Sequence, residues 1–243
     1  MSKEFYTKFE SCIWKATRNL IRDYSELEHL QSGGSNLGNF LERSKIKTKE
    51  ILLRELELAR ASNISDKLEK IPVEDGTHYF ISEIDGLENF ARAWPFFGFG
   101  VLALTINYGK IGKMSAILSF PGLMQNFFAE TGSGAWSEKL GDRADGSQIR
   151  LRARKNFDPK NAFVNKQFAE LNDKDFNVRD FHCELFDITC LASGRFDAIK
   201  INGQNLFAAI TAEVFAIESG AMFERLENGD VVAGHISLVK KEN

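Results

Sequence analysis

A chain of 243 residues, 43% hydrophobic and 27% charged, has the length of one large domain or two closely packed halves and the composition of an ordinary globular protein. Its formal net charge of −3 gives no global electrostatic reason to expect nucleic acid or an anionic membrane as a partner. Three cysteines (Cys12, Cys183, Cys190) without C-x-x-C spacing argue against a disulfide framework or a zinc site and fit a reducing compartment. The first twenty residues are charged throughout, without the apolar stretch of a signal peptide, and no run approaches the roughly 18 apolar residues of a spanning helix. A cytoplasmic protein with no membrane partner is the expectation.

In chain order, Phe9, Ile13, Ala16, Leu20, Tyr24 and Leu27 recur every three or four residues, which predicts an amphipathic helix over 4–30. A Gly/Ser loop follows at 30–39, and a second helix is expected at 41–62. Strand character then dominates. "THYFISEI" is short and bounded by turn residues, "FGFGVLALTINYGKIGKMSAILSF" reads as a hairpin through "NYGK", and "MQNFFAETGSGAWS" as a strand with a Gly-rich turn. The glycines of that turn resemble a phosphate loop, but the Lys and the following helix of a P-loop are missing. "SQIRLRARKN" alternates apolar and basic residues; Arg150, Arg152 and Arg154 read as a solvated strand face rather than a phosphate-reading stripe.

Beyond residue 160 helices and strands alternate. "NAFVNKQFAELND" looks helical, "LFDITCLASG" is a buried helix ending at Gly194, and "RFDAIKI" is a strand. "NLFAAITAEVFAIESG" is a helix closed by Gly220, and "DVVAGHISLVKK" a last strand and tail. The fold class expected is α+β: an N-terminal helix pair with an antiparallel sheet over 1–150, and a smaller α/β unit over 151–243, in one integrated fold.

The stretch "YFISEIDGLENFARAWPFFGFGVLALTINYGKIGKMSAILSFPGLMQNFFAETGSGAW", followed by "LFDITCLASGRFDA" and "NLFAAITAEVFAIESGA", resembles the inositol monophosphatase family, including its SuhB-type branch. The order and spacing of these pieces carry the resemblance over most of the chain. It implies a layered α-β-α-β-α sandwich, a homodimer, and a Mg²⁺-dependent phosphomonoesterase site between the halves. In such a site hard oxygen ligands hold the ions that polarise phosphate and activate water. Four residues supply those ligands, an upstream Glu, the two Asp of a D-P-x-D-G-T strand end and the Asp of a W-D pair, and the Thr of the strand end orients the water.

Carried over position by position, the pattern departs at the ligands. The first Asp falls on Ser82 and the following Pro on Glu83. The carbonyl-donating position is Ile84, the second Asp is kept as Asp85, and Gly86, which would border a phosphate, is kept too. The water-orienting Thr is Leu87, and the W-D pair has become Phe207 and Ala208. An acidic position of the second helix falls on Lys45, and a substrate-binding G-S turn on His182 and Cys183. For the upstream Glu the nearest candidates are Glu69 and Glu74.

Serine is a weak neutral ligand and leucine and alanine are none, so the resemblance implies a degenerate member, a pseudoenzyme that binds Mg²⁺ weakly or not at all. It would act by binding a protein, as in the transcription-linked role of the SuhB branch, or a small phosphorylated ligand. The alternative is an active Mg²⁺-dependent phosphomonoesterase with relocated ligands, built on Glu83, Asp85 and Glu88; solvated acidic residues at a sheet edge explain that trio more simply. His182 beside Cys183 invites a nucleophile reading, but structural roles fit neighbouring residues better. His29, His78 and His235 are isolated.

Overall fold

The computed structural model describes residues 4–30, 37–141, 147–156, 158, 161–171 and 175–240. Two helices open the chain, α1 (Glu4–Leu30) and α2 (Leu37–Leu58). The predicted stripe of α1 is fully buried at Phe9, Ile13, Ala16, Leu20 and Leu27. The second helix starts and stops about four residues earlier than its periodicity suggests. It ends in a turn in which Arg60 takes φ 59°. Of the loop expected at 30–39, residues 31–36 lie outside the described residues, as does the side chain of His29.

A seven-stranded sheet follows in chain order: β1 (Ile64–Ser65), β2 (Gly76–Ile81), β3 (Phe99–Asn107), β4 (Lys110–Phe120), β5 (Gln125–Glu130), β6 (Gly134–Lys139) and β7 (Gln148–Arg150). Every neighbouring pair is antiparallel except β1 with β2. The β3–β4 hairpin turns at Tyr108 and Gly109, both with positive φ, as a two-residue hairpin loop requires. Where "ETGSGAWS" is expected to form only a Gly-rich turn, its second half begins the sixth strand. Pairing in "SQIRLRARKN" covers only Gln148–Arg150, so its alternation marks a shorter strand than expected.

A short helix, α3 (Leu87–Ala91), interrupts this sheet between β2 and β3. The second half contains β8 (Phe163–Asn165), α4 (Lys166–Ala169), β9 (Asn177–Arg179), α5 (Glu184–Ala192), β10 (Ala198–Ile201), α6 (Leu206–Ser219), β11 (Met222–Arg225), β12 (Val231–Gly234) and α7 (Ile236–Val239). Its sheet has the order β11-β12-β10-β8-β9. The helix expected over "NAFVNKQFAELND" is instead β8 plus one turn. Val164 pairs in parallel with Ala198, and the Asn165 side chain caps α4 by accepting from the Phe168 N–H at 3.1 Å.

Period-two alternation builds the layers. On β2 and β3, Tyr79, Ile81, Val101 and Ala103 join the α1–α2 core, while Phe80, Leu102 and Leu104 join the core of α5 and α6. On β10 and β12, Ile199, Ile201, Val231 and Ala233 face that same α5–α6 layer, and Ala198 and Val232 join Phe168 of α4 and Val239 of α7. The order is therefore helix pair, sheet, helix pair, sheet, short helices, which is the five-layer sandwich expected.

Candidate functional site: a carboxylate-lined cleft

At the end of β2 the chain leaves its ladder one residue at a time. The Ser82 N–H donates to the Gly100 carbonyl at 3.0 Å, and its Oγ accepts from the Gly100 N–H at 2.8 Å, so the hydroxyl prolongs the pairing with β3. Asp85 then forms a two-way bridge with Gly98. Gly86 takes φ 73°, and a Cβ there would stand 2.4 Å from the Phe96 carbonyl oxygen, so glycine alone fits and α3 can start at Leu87.

The Asp85 carboxylate points at α5. Oδ1 accepts from the Gly86 N–H at 2.9 Å, and Oδ2 accepts from the Leu185 N–H at 2.7 Å and from the Cys183 thiol at 3.4 Å. A carboxylate at a helix N-terminus is stabilised by unpaired N–H groups and the helix dipole. Burial pushes the Asp85 pKa up, and these hydrogen bonds oppose the shift.

A cavity of about 390 Å³ opens beside this strand end, bordered among others by Asp66, Glu69, Ser82, Glu83, Asp85 and Asn205. A smaller lobe of about 120 Å³ adjoins it and shares Asp66, Ser82 and Glu83, with Glu42, Lys45 and Lys49 of α2 on its far side. Lys45 Nζ lies 3.5 Å from both Glu42 and Glu83, and Lys49 pairs with Asp66. The hydrogen bond from Lys49 holds the Asp66 carboxyl below its usual range.

The sequence-predicted residues therefore divide. Ser82, Glu83, Ile84, Asp85 and Glu69 come to one cavity, Glu69 as an exposed rim residue. Glu74 borders neither lobe, and its carbonyl accepts from His78 Nε2 at 2.9 Å. The Gly86 N–H is spent on Asp85, and Gly86 borders neither lobe. Leu87 packs against the α1–α2 core instead of orienting water. Ala208 is fully buried, its N–H capped by Asn205 Oδ1 at 3.2 Å, while the neighbouring Phe207 borders the cavity. Among the described residues no group of three or more His, Cys, Asp or Glu side chains is arranged to hold a metal ion.

His182 and Cys183 form no dyad. The ring is exposed and 3.5 Å from Asp180, whereas the buried thiol donates to Asp85 and is pushed well above its usual pKa by burial. The glycines of "ETGSG" do bind a carboxylate, but it is the protein's own: Glu218 of α6 accepts from the Gly132 and Gly134 N–H groups, both at 2.7 Å.

Sequence reasoning missed Lys49 and Asp66, although Lys45 and Lys49 have the i, i+4 spacing that puts both on one helix face. It also missed two acids of α5. Glu184 accepts from the Asn205 side chain at 2.9 Å and so ties α5 to the start of α6. Asp187 accepts from Asn165 Nδ2 at 3.0 Å, its other oxygen has no hydrogen-bond partner among the described residues, and burial pushes its pKa up to about 8. No local motif marks either one.

No model of a known protein family matches the chain. It is 25% identical over 247 residues to the inositol-1-monophosphatase of Caulobacter vibrioides, across 94% of this chain and 93% of that protein. To the inositol-1-monophosphatase of Mesorhizobium japonicum it is 24% identical, across 91% and 88%. The structure of the extragenic suppressor protein SuhB from Bartonella henselae superposes with TM-score 0.71 at 20% identity, over 95% of this chain and 93% of that one. Inositol monophosphatase II from Staphylococcus aureus gives 0.70 at 14% identity, over 98% and 91%. Along nearly its whole length the chain is thus similar to inositol-1-monophosphatases, and it shares the layered fold of the solved inositol monophosphatase and SuhB structures.

Proposed function

We propose that this protein keeps the inositol monophosphatase fold without Mg²⁺-dependent phosphatase activity and acts by binding. The observation that carries this reading is the commitment of Asp85, the one carboxylate retained from the family strand end. Its two oxygens already accept from Gly86, Leu185 and Cys183. Mg²⁺ requires near-ideal octahedral oxygen coordination, and here the companion positions are a hydroxyl bonded to Gly100, a packed leucine and a buried alanine. The donor set does not fit the ion. What binds is either a protein partner or a small phosphorylated ligand in the cleft; a homodimer and a cytoplasmic setting belong to the same reading.

The test is phosphate release. Incubated with inositol monophosphate, a nucleoside monophosphate or a sugar phosphate, the protein is expected to liberate no inorganic phosphate above buffer, with or without millimolar Mg²⁺. Mg²⁺-dependent turnover that disappears in Asp85→Asn would refute the reading.

One observation favours the runner-up, an active phosphomonoesterase with relocated ligands: Asp66, Glu69, Glu83 and Asp85 all border one cavity. That reading requires Mg²⁺ or Mn²⁺ on Asp85 and at least two other carboxylates at about 2.0–2.6 Å in a metal-soaked crystal.

A further inference from the structure

The first helix has two faces. Phe9, Ile13, Ala16 and Leu20 go fully into the core, whereas Trp14, Arg18 and Ile21, spaced i, i+4 and i+7, fall together on the outer side. Trp14 and Ile21 are half-buried there and, with Met124 after β4, border an open groove of about 610 Å³ with Arg18 and Arg22 on its rim. Arg22 also borders a second hollow, of about 170 Å³, between α1 and α2, which adds Phe40, Arg43 and Lys47. The two hollows meet at that guanidinium and share no residue with the cleft. Charge on this surface is one-sided. Four exposed cations, Arg18, Arg22, Arg43 and Lys47, border it among the described residues, against one exposed carboxylate, Glu26. The other acid, Asp23, is buried and already accepts from Arg22 at 2.7 Å, Ser44 at 2.9 Å and Asn19 at 3.2 Å. Arg22 is held by Asp23 and Glu26, and Arg43 lies over the Phe40 ring. Arg18, Arg43 and Lys47 make no ion pair among the described residues, on a chain whose net charge is −3.

Trp and Arg are the residues that protein interfaces concentrate at their energetic centres. An apolar floor beside spare cations complements the opposite pattern, carboxylates around an aliphatic or aromatic side chain. A nucleic-acid chain matches less well, because Glu26 stands among the cations and Ile21 and Met124 offer a base no stacking face. We propose that the outer side of α1 and α2 is a docking surface for an acidic segment of a partner protein that carries an apolar anchor. The anchor enters the groove of Trp14 and Ile21, and carboxylates of the same segment meet Arg18, Arg43 and Lys47. The inference rests on the protein-binding branch of the reading above and gives that branch a surface.

The experiment selects a random dodecapeptide library, displayed on phage, against the immobilised full-length protein. The recovered peptides are expected to be acidic with an aliphatic or aromatic residue among the carboxylates. The best of them, labelled with fluorescein, is expected to bind wild type saturably in fluorescence anisotropy. Arg18→Gln/Arg43→Gln should weaken that binding at least about tenfold, and Trp14→Ala by a similar factor. Lys110→Gln, which removes an exposed charge at the β3–β4 turn, should bind as wild type does. Added NaCl should weaken binding to wild type more steeply than to the glutamine variant. If Trp14→Ala loses its native circular dichroism, the exposed arginine pair alone decides. A selection that recovers no acidic peptides overturns the proposal, as do acidic peptides that bind the glutamine variant as tightly as wild type. Displacement of the peptide by a single-stranded oligonucleotide would reassign the surface to nucleic acid. A wild-type dimer in sedimentation velocity that the same two substitutions dissociate would reassign it to a second copy of the chain; either result overturns the proposal too. Phosphate release by wild type refutes the functional reading and leaves the peptide result standing, whereas a failed selection with an inert wild type refutes this inference alone.

Discussion

Asp187 is the residue whose setting has the clearest thermodynamic consequence. Its carboxyl is buried in α5, has one oxygen without a hydrogen-bond partner among the described residues, and lies near the charges of Asp85, Asp180 and Glu184. Burial is the largest cause of its rise from 3.8 to about 8. The folded protein thus holds this proton more tightly than the unfolded chain. The associated stability is full below pH 3.8 and is lost as pH rises through the folded value near 8. Asp187→Asn, which keeps an oxygen for Asn165, should flatten that slope. At pH 8 it should exceed wild type by something on the order of 1–3 kcal/mol, and at pH 4 it should differ little. Urea midpoints at the two pH values read the difference; equal slopes in both proteins would show that Asp187 titrates normally. Nothing local marks this residue, because a carboxylate inside "LFDITCLASG" looks like any polar position until the fold buries it. Ser82, Asp85 and Leu87 were legible only through the resemblance, which lays the D-P-x-D-G-T strand end over them; the local residues alone mark a strand end and a turn at Gly86.

At the scale of elements, α5 depends on a group far from it in sequence. Its first turn donates to Asp85, 100 residues earlier, and its cap position is Cys183, whose side chain makes no capping bond of its own. Asp85→Ala should cost about 1–3 kcal/mol by stripping acceptors from the Leu185 N–H, the Gly86 N–H and the Cys183 thiol, with Asp85→Asn intermediate. Chemical denaturation measures this, and an unchanged midpoint for Asp85→Ala would show that the contact is dispensable. Long periodic elements such as α1 and α6 could be read directly from apolar spacing. The short ones could not. β8, α4 and β9 owe their form to partners across the sheet, Val164 on Ala198 and Val178, and a three-residue strand has too few residues to show a period.

For the molecule as a whole, the central core runs unbroken from Phe80, Leu102 and Leu118 of the large sheet through α5 and α6 to Ile199 and Val231 of the small one. Both the 1–150 and the 151–243 stretches contribute to that layer, which supports the proposal that they form one integrated fold. Circular dichroism and Trp fluorescence should therefore report one cooperative unfolding transition with coincident midpoints; two separated transitions would mean the halves fold independently. The same layer contains the Glu218 clamp on Gly132 and Gly134. A surface hairpin ordinarily tolerates insertions, because its tip is held only by its own strands. This tip is fastened to the last turn of α6 as well. Lengthening it by even a residue would trade away an anchorage that spans two layers, so its length is a property of the whole sandwich, not of the loop.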